Sequence, residues 1–280
     1  MTWAAVIGSP ISHSLSPVLH RAAWDSLGIG GDWDYRAIET TTQTLGSLVS
    51  ALGSDCLGLS VTMPCKQAVI PLLDVLDPLA QAVGAVNTVL PGAGVLTGAN
   101  TDVHGIVAAV NAARAARDLP APASCVILGA RATASSALAA CGHLHVGHVS
   151  VAARHFGGPG SVLVAGARLG VSFDQVFLRN RGEVLQAIRD ADLIVSTLPV
   201  GVGDDLAVDL SPRPDQTLLD VVYAPRLTAL TGTWQQAGGS VAWGSDMLLH
   251  QAAEQVRLMT GRDPDTAVMR IALHRALGIA

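Results

Sequence analysis

Apolar and polar positions follow two rhythms along this chain. Apolar-rich runs at residues 4–7, 33–38, 57–61, 125–128, 149–153, 193–196, 218–222 and 240–242 have the length and character of half-buried or buried strands. Between them, residues 17–27, 42–52, 103–116 and 132–140 read as helices, and Pro64 suits the first turn of a further helix running to residue 76. Residues 87–90 and 94–97 flank Pro91-Gly92-Ala93, a hairpin signal. Two prolines make 118–124 a loop, and Gly157-Gly158-Pro159-Gly160 a flexible one. Beyond Gly244 two helices run to the end, with Leu248, Ala252, Val256 and Met259 forming an apolar stripe on the first.

Strands alternating with helices from end to end predict an α/β protein. The second half reads as a doubly wound, Rossmann-like dinucleotide-binding lobe. The expected organisation is an N-terminal α/β substrate lobe over residues 1–102, the dinucleotide lobe over 103–244, and C-terminal helices over 245–280 that return to the first lobe.

Composition narrows the function. Hydrophobic residues make up 50% of the 280 and charged ones only 14%, which fits a globular chain. The net charge is −5 and no basic stripe appears, so nucleic acid has no electrostatic footing. Every apolar run is too short for a membrane span, and the start reads as a strand rather than a signal peptide, so a cytoplasmic protein is expected. Cys56, Cys65, Cys125 and Cys141 lack metal-ligand spacing and read as reduced, mostly buried thiols. The 17 basic residues include a single lysine, Lys66. Arg keeps its proton near neutrality, whereas Lys gives its proton up where its surroundings favour the neutral amine. A lone lysine in an arginine-using chain is therefore a candidate for proton chemistry, or simply a surface residue.

Three clusters carry candidate chemistry. In Ser12-His13-Ser14-Leu15-Ser16-Pro17, Ser14 and Ser16 point to the same side at a helix start, where they either cap the helix or hold a carboxylate. In Ser60-Val61-Thr62-Met63-Pro64-Cys65-Lys66, Ser60 and Thr62 share one face at a strand's carboxyl end, where ligands bind in such sheets, and Lys66 lies in the first turn of the next helix. In Gly84-Ala85-Val86-Asn87-Thr88 and Gly98-Ala99-Asn100-Thr101-Asp102, two Asn-Thr pairs flank the hairpin, and Asp102 opens a helix as either a cap or a site carboxylate.

Taken in order, these segments resemble the shikimate dehydrogenase family, whose members carry Ser-x-Ser-Pro, Val-Thr-x-Pro-x-Lys, Gly-Ala-x-Asn-Thr and Asn-Thr-Asp. The resemblance continues through Ser196-Thr197-Leu198-Pro199, Asp220-Val221-Val222-Tyr223-Ala224-Pro225 and Gly244-Ser245-Asp246-Met247-Leu248-Leu249-His250-Gln251-Ala252, so it covers nearly the whole chain. It implies reversible oxidation of shikimate by NADP+ to 3-dehydroshikimate in aromatic amino-acid biosynthesis. It implies Lys66 and Asp102 as the catalytic pair, Ser14 and Ser16 on the substrate carboxylate, and Thr62, Asn87, Asp102 and Gln251 on its hydroxyls. Tyr223 falls on a substrate-side position, and Ser60 stands where many members have Asn. No step calls for a metal.

The departure is in the cofactor loop. Members usually have Gly-x-Gly-Gly-x-x after the first strand of the second lobe; here it is Gly129-Ala130-Arg131-Ala132-Thr133-Ala134. The second glycine normally lets the backbone approach the pyrophosphate. Arg131 either obstructs that approach or clasps a phosphate. Arg154 follows the next strand, where NADP-using members meet the ribose 2′-phosphate, and favours NADP over NAD, although the family's flanking Asn and Thr are replaced by Ala153 and His155. Thr197, Val221, Gly244 and Met247 match positions on the nicotinamide side. Two alternatives stay open: a quinate or aminoshikimate dehydrogenase using NAD or NADP, and a non-catalytic shikimate-binding homologue. Monomer and homodimer are both compatible with the sequence.

Overall fold

In the computed structural model, which describes residues 1–158 and 160–279, the chain divides into two units, Met1–Thr101 with Leu249–Ala280, and Asp102–Leu248. Pro159 of the glycine-rich loop lies outside the described residues.

The first unit holds six strands, β1 (Thr2–Gly8), β2 (Trp33–Glu39), β3 (Cys56–Val61), β4 (Val75–Leu76), β5 (Thr88–Gly92) and β6 (Val95–Ala99), in the order β2-β1-β3-β5-β6-β4. The β1 strand pairs in parallel with β2 and β3, while β5 runs antiparallel to both β3 and β6. The carboxyl ends of β1, β3 and β6 and the start of β5 therefore meet on one edge. Helices α1 (Ser16–Ser26), α2 (Leu45–Ser50), α3 (Cys65–Ala68) and α4 (Pro78–Val83) complete the first hundred residues. Apolar strand residues such as Ala5, Ile7, Leu59 and Val89 are fully buried in the core.

Two expectations need correction here. The helix expected from Pro64 to residue 76 is a single turn, α3, then a 3-10 turn (Ile70–Leu72) and the short strand β4. Pro71 is the reason: it has no N–H to give and its ring clashes with the preceding turn. The hairpin turns at Ala93 and Gly94 rather than at Pro91-Gly92-Ala93, since Gly92 pairs with Val95 and both turn residues have positive φ.

In the second unit β7 (Ser124–Leu128), β8 (His148–Ala153), β9 (Asp174–Phe177), β10 (Leu193–Ser196), β11 (Thr217–Asp220) and β12 (Ser240–Trp243) form an all-parallel sheet in the order β12-β11-β10-β7-β8-β9. The chain runs outward from β7 to β9, then returns to the other side of β7, so the direction of winding switches between β7 and β10. Helix α5 (Asp102–Ala115) precedes β7, and α6 (Ala132–His143), α7 (Val162–Leu169), α8 (Arg181–Asp190), α9 (Asp204–Val208) and α10 (Ala229–Gln236) make the crossovers. This is the doubly wound architecture read from the sequence.

Helix α11 (Gly244–Thr260) begins in the second unit and ends in the first, followed by α12 (Thr266–Ala276), which packs on α1. Arg262 donates to the Leu27 carbonyl at 3.0 Å, fixing that return. Among the described residues no helix is long and apolar enough to cross a membrane. All four cysteines are buried and unbridged.

Candidate active site

The shared edge of the first sheet gathers most of the substrate candidates. Ser14 is half-buried, and its Oγ accepts from the Ser16 backbone N–H at 3.3 Å. Ser16 is buried as the first residue of α1. Thr62 follows β3, with its backbone N–H bonded to the Ile7 carbonyl. Gly8, at the end of β1, lies so close that a Cβ there would meet Thr62 Cγ2 at 2.4 Å. Lys66 is half-buried inside the single turn of α3, and its carbonyl accepts from Val86 N–H at 2.8 Å.

Asn87 is the best-held side chain of the group. Its Oδ1 accepts from Thr101 N–H at 2.8 Å and from Thr88 Oγ1 at 2.8 Å. Its Nδ2 donates to Thr101 Oγ1 at 2.9 Å and to Gln251 Oε1 at 3.3 Å. Thr101 Oγ1 also reaches the Gln251 carbonyl, at 3.0 Å. The link to Gln251 ties α11 to the start of β5 across 164 positions of sequence.

Beneath this layer runs a second that sequence reasoning missed. Tyr35 donates to Ser60 Oγ at 2.6 Å, and Ser60 donates to Gln255 Oε1 at 2.8 Å. Gln255 Nε2 then donates to the Asn87 carbonyl at 2.9 Å and to Thr88 Oγ1 at 3.0 Å. Burial holds the Tyr35 phenol above its usual range, although hydrogen bonding with Ser60 and Ser16 opposes this, so its O–H stays available to donate. His20 stacks on Tyr35 at 4.1 Å, and burial lowers its pKa from 6.5 to about 4, partly offset by a bond to the Ser16 carbonyl. Ser60, a substrate candidate by sequence, is buried with both of its oxygen's roles engaged by protein. Asp102 and Tyr223 belong to the second unit: Asp102 is buried at the head of α5, and Tyr223 is half-buried beyond β11, with its phenol raised by burial.

The cofactor candidates lie along the carboxyl edge of the second sheet, at the ends of β7, β8, β10, β11 and β12. Gly129 has φ +115°, and a Cβ there would lie 2.2 Å from Thr197 Oγ1. Thr197 bridges the switch point by donating to the Leu128 carbonyl at 2.8 Å. Val221 N–H bonds the Ser196 carbonyl, and Gly244 has no room for a side chain against the Asp220 and Val221 carbonyls. Ala130 is buried, with its carbonyl bonded by Val162 N–H at 3.1 Å, and Met247 is buried in the first turn of α11.

Arg131 is the N-cap residue of α6 and is exposed; its side chain makes no cap, and no acid occupies the first turn, Ala132 and Thr133 included. The first-turn N–H groups of a twelve-residue helix thus face the switch point uncompensated, which suits a phosphate. Arg154 is exposed at the end of β8. The residues present accordingly fit a dinucleotide, although the glycine pattern is altered. Among the described residues no group of three or more His, Cys, Asp or Glu could hold a metal ion.

Comparison with known proteins identifies the family. The shikimate dehydrogenase substrate binding domain matches residues 6–89, and the shikimate 5′-dehydrogenase C-terminal domain matches residues 244–274. A shikimate dehydrogenase (NADP(+)) of Citrifermentans bemidjiense is 35% identical, with the alignment covering 96% of this chain and 93% of that protein. The crystal structure of shikimate dehydrogenase from Mycobacterium tuberculosis superposes with a TM-score of 0.88 at 34% identity, over 98% of this chain and 100% of that one. Shikimate 5-dehydrogenase from Thermus thermophilus, solved with NADP(H) and shikimate, gives 0.81 at 31% identity over 99% and 100%. With two family domains matched and relatives above 30% identity over almost all of its length, this chain belongs to the shikimate dehydrogenase family.

Proposed function

We propose that this protein is an NADP-dependent shikimate dehydrogenase that interconverts shikimate and 3-dehydroshikimate. The observation that carries the reading is the set of hydroxyl and amide donors on one sheet edge beside the chain's only lysine, in a chain similar throughout to NADP-dependent shikimate dehydrogenases.

Ser14 and Ser16 receive the substrate carboxylate. Thr62, Asn87 and Gln251 receive the ring hydroxyls: the 3.3 Å bond from Asn87 Nδ2 to Gln251 Oε1 gives way to the substrate, while the shorter bonds to Thr101 and Thr88 hold the amide in place. Ser60 supports that layer through Gln255. Lys66 Nζ takes the proton from the hydroxyl being oxidised and returns it to the carbonyl oxygen in reduction, and Asp102 is the second catalytic residue by the family resemblance. Tyr223 is a substrate-side residue by the family resemblance. NADP, when bound, accepts or supplies the hydride. The backbone from Gly129 to Thr133 and the start of α6 hold its pyrophosphate, Arg154 its 2′-phosphate, and Thr197, Val221, Gly244 and Met247 its nicotinamide side. The reaction balances as shikimate and NADP+ giving 3-dehydroshikimate, NADPH and one proton. This reading places the enzyme in the cytoplasm, as a monomer or homodimer.

The test is the near-ultraviolet absorbance of NADPH as purified protein meets shikimate and NADP+ from neutral to mildly alkaline pH. Absorbance rises with shikimate and rises much less with quinate or with NAD+. No rise with shikimate and NADP+ refutes the assignment.

A further inference from the structure

Arg131 stands where a glycine is customary, and its head does not stay at the start of α6. A Cβ built on Gly158 would lie 3.8 Å from Arg131 Nη1, so the guanidinium extends from the β7 loop to the segment that follows β8. That segment opens with Arg154, four residues before Gly158 and exposed. Neither arginine has a hydrogen bond or ion pair with any described residue. The stretch that carries them holds no acid: no Asp or Glu lies between Asp118 and Asp174, in a chain whose net charge is −5. Arg131 thus reaches the loop that Arg154 opens, so an anion bound at that loop is attracted by both charges.

The position of that anion follows from the fold. In a doubly wound sheet the pyrophosphate lies at the start of the helix after the first strand, here α6. The adenosine ribose lies at the end of the second strand, here β8. A carboxylate there would receive an unphosphorylated 2′-hydroxyl, and this chain has Ala153 and Arg154 instead. Resting on the NADP reading above, we propose that Arg131 and Arg154 form a two-armed clasp for the 2′-phosphate of the adenosine ribose, so that Arg131 selects NADP over NAD. The first-turn N–H groups of α6 remain free for the pyrophosphate, and an Arg side chain directed sideways leaves that approach open.

Calorimetric titration of the full-length protein with 2′,5′-ADP and with ADP tests this without catalysis. Arg131→Ala weakens 2′,5′-ADP about tenfold or more, as loss of a charge-assisted bond would, and leaves ADP unchanged. Arg131→Lys restores part of the loss, since it keeps the charge without the fork. Arg154→Ala acts in the same direction, and thermal melts check that each exposed substitution leaves the fold intact. Equal weakening of both ligands by Arg131→Ala would put the guanidinium on the pyrophosphate and overturn the proposal. Tighter binding of both would make Arg131 an obstruction, and no change a bystander; either overturns it, as does a wild-type protein that does not prefer 2′,5′-ADP. Arg131-dependent 2′,5′-ADP binding without shikimate oxidation would refute the proposed function and leave the clasp standing. Oxidation with NADP+ but no Arg131 dependence would refute the clasp alone.

Discussion

The two sheet edges solve recognition in opposite ways. On the first unit's edge, side chains hold side chains: Asn87, Thr88, Thr101, Gln251 and Gln255 are buried and bonded to one another. On the second unit's edge the work falls to main chain and small residues, with Thr197 as the bridging side chain and two exposed arginines beyond it. A small hydroxylated acid is distinguished only by where its donors and acceptors lie, and a buried network that cannot rearrange enforces those positions. A dinucleotide is long and charged, so backbone N–H groups and adjustable cations suffice. The first design tolerates little substitution. The second accepts an arginine in place of a glycine.

The largest expected effect sharpens the chemical half of this contrast. Lys66→Ala lowers kcat by about 10²–10⁴, the usual share of a general acid–base residue, with the KM for shikimate little changed. Lys66→Arg does not rescue it, because Arg holds its proton. Steady-state kinetics in both substrates measure this. Loss through KM with kcat intact would mean that Lys66 only binds, and the first edge would then be a recognition surface alone.

A second test concerns the rigidity of that edge. His20 is fully buried beneath Tyr35 with its Nε2 unpartnered, and its pKa falls from 6.5 to about 4. Below pH 6.5 the unfolded chain takes up a proton that the folded chain refuses until about pH 4, so stability drops as pH falls through this window. The contribution is about 3 kcal/mol at the acid end. Urea unfolding at pH 7 and at pH 4 should show a larger loss for wild type than for His20→Gln, which does not titrate. Identical losses would mean that the imidazole is accommodated as a cation.

How much of this was legible follows the same divide. The strand–helix alternation of the second unit could be read directly, because each buried parallel strand is a short apolar run of its own. The candidate residues could be read because they sit in short contiguous motifs. Tyr35 and Gln255 could not: each looks like an ordinary core or helix position, and Ser60 meets Gln255 across 195 positions of sequence. The helix expected after Pro64 stops short because Pro64 starts a helix that Pro71 cannot continue. The acid-free stretch around Arg131 and Arg154 was visible in the sequence all along. It gains meaning only once β7 and β8 are neighbours, because charge patterning along a chain says nothing until the fold brings the charges together.

The last test probes the position on the second edge where main chain does the work. Gly129 is constrained twice: φ +115° disfavours any side chain, and a Cβ would lie 2.2 Å from Thr197 Oγ1. Gly129→Ala should therefore cost about 1–3 kcal/mol for backbone strain alone, with the clash added, and should raise the KM for NADP+ more than that for shikimate. The two causes separate in a double-mutant cycle. Thr197→Ala removes Oγ1, leaving the Thr197 Cβ at 3.5 Å, an ordinary contact. In that background Gly129→Ala should cost less by the clash and retain the strain, so the two substitutions couple favourably in urea unfolding. Full additivity would mean that the loop moves away from Thr197 at no cost. The bond from Thr197 to the Leu128 carbonyl would then not fix the switch point, and the second edge would owe its shape to α6 rather than to β10.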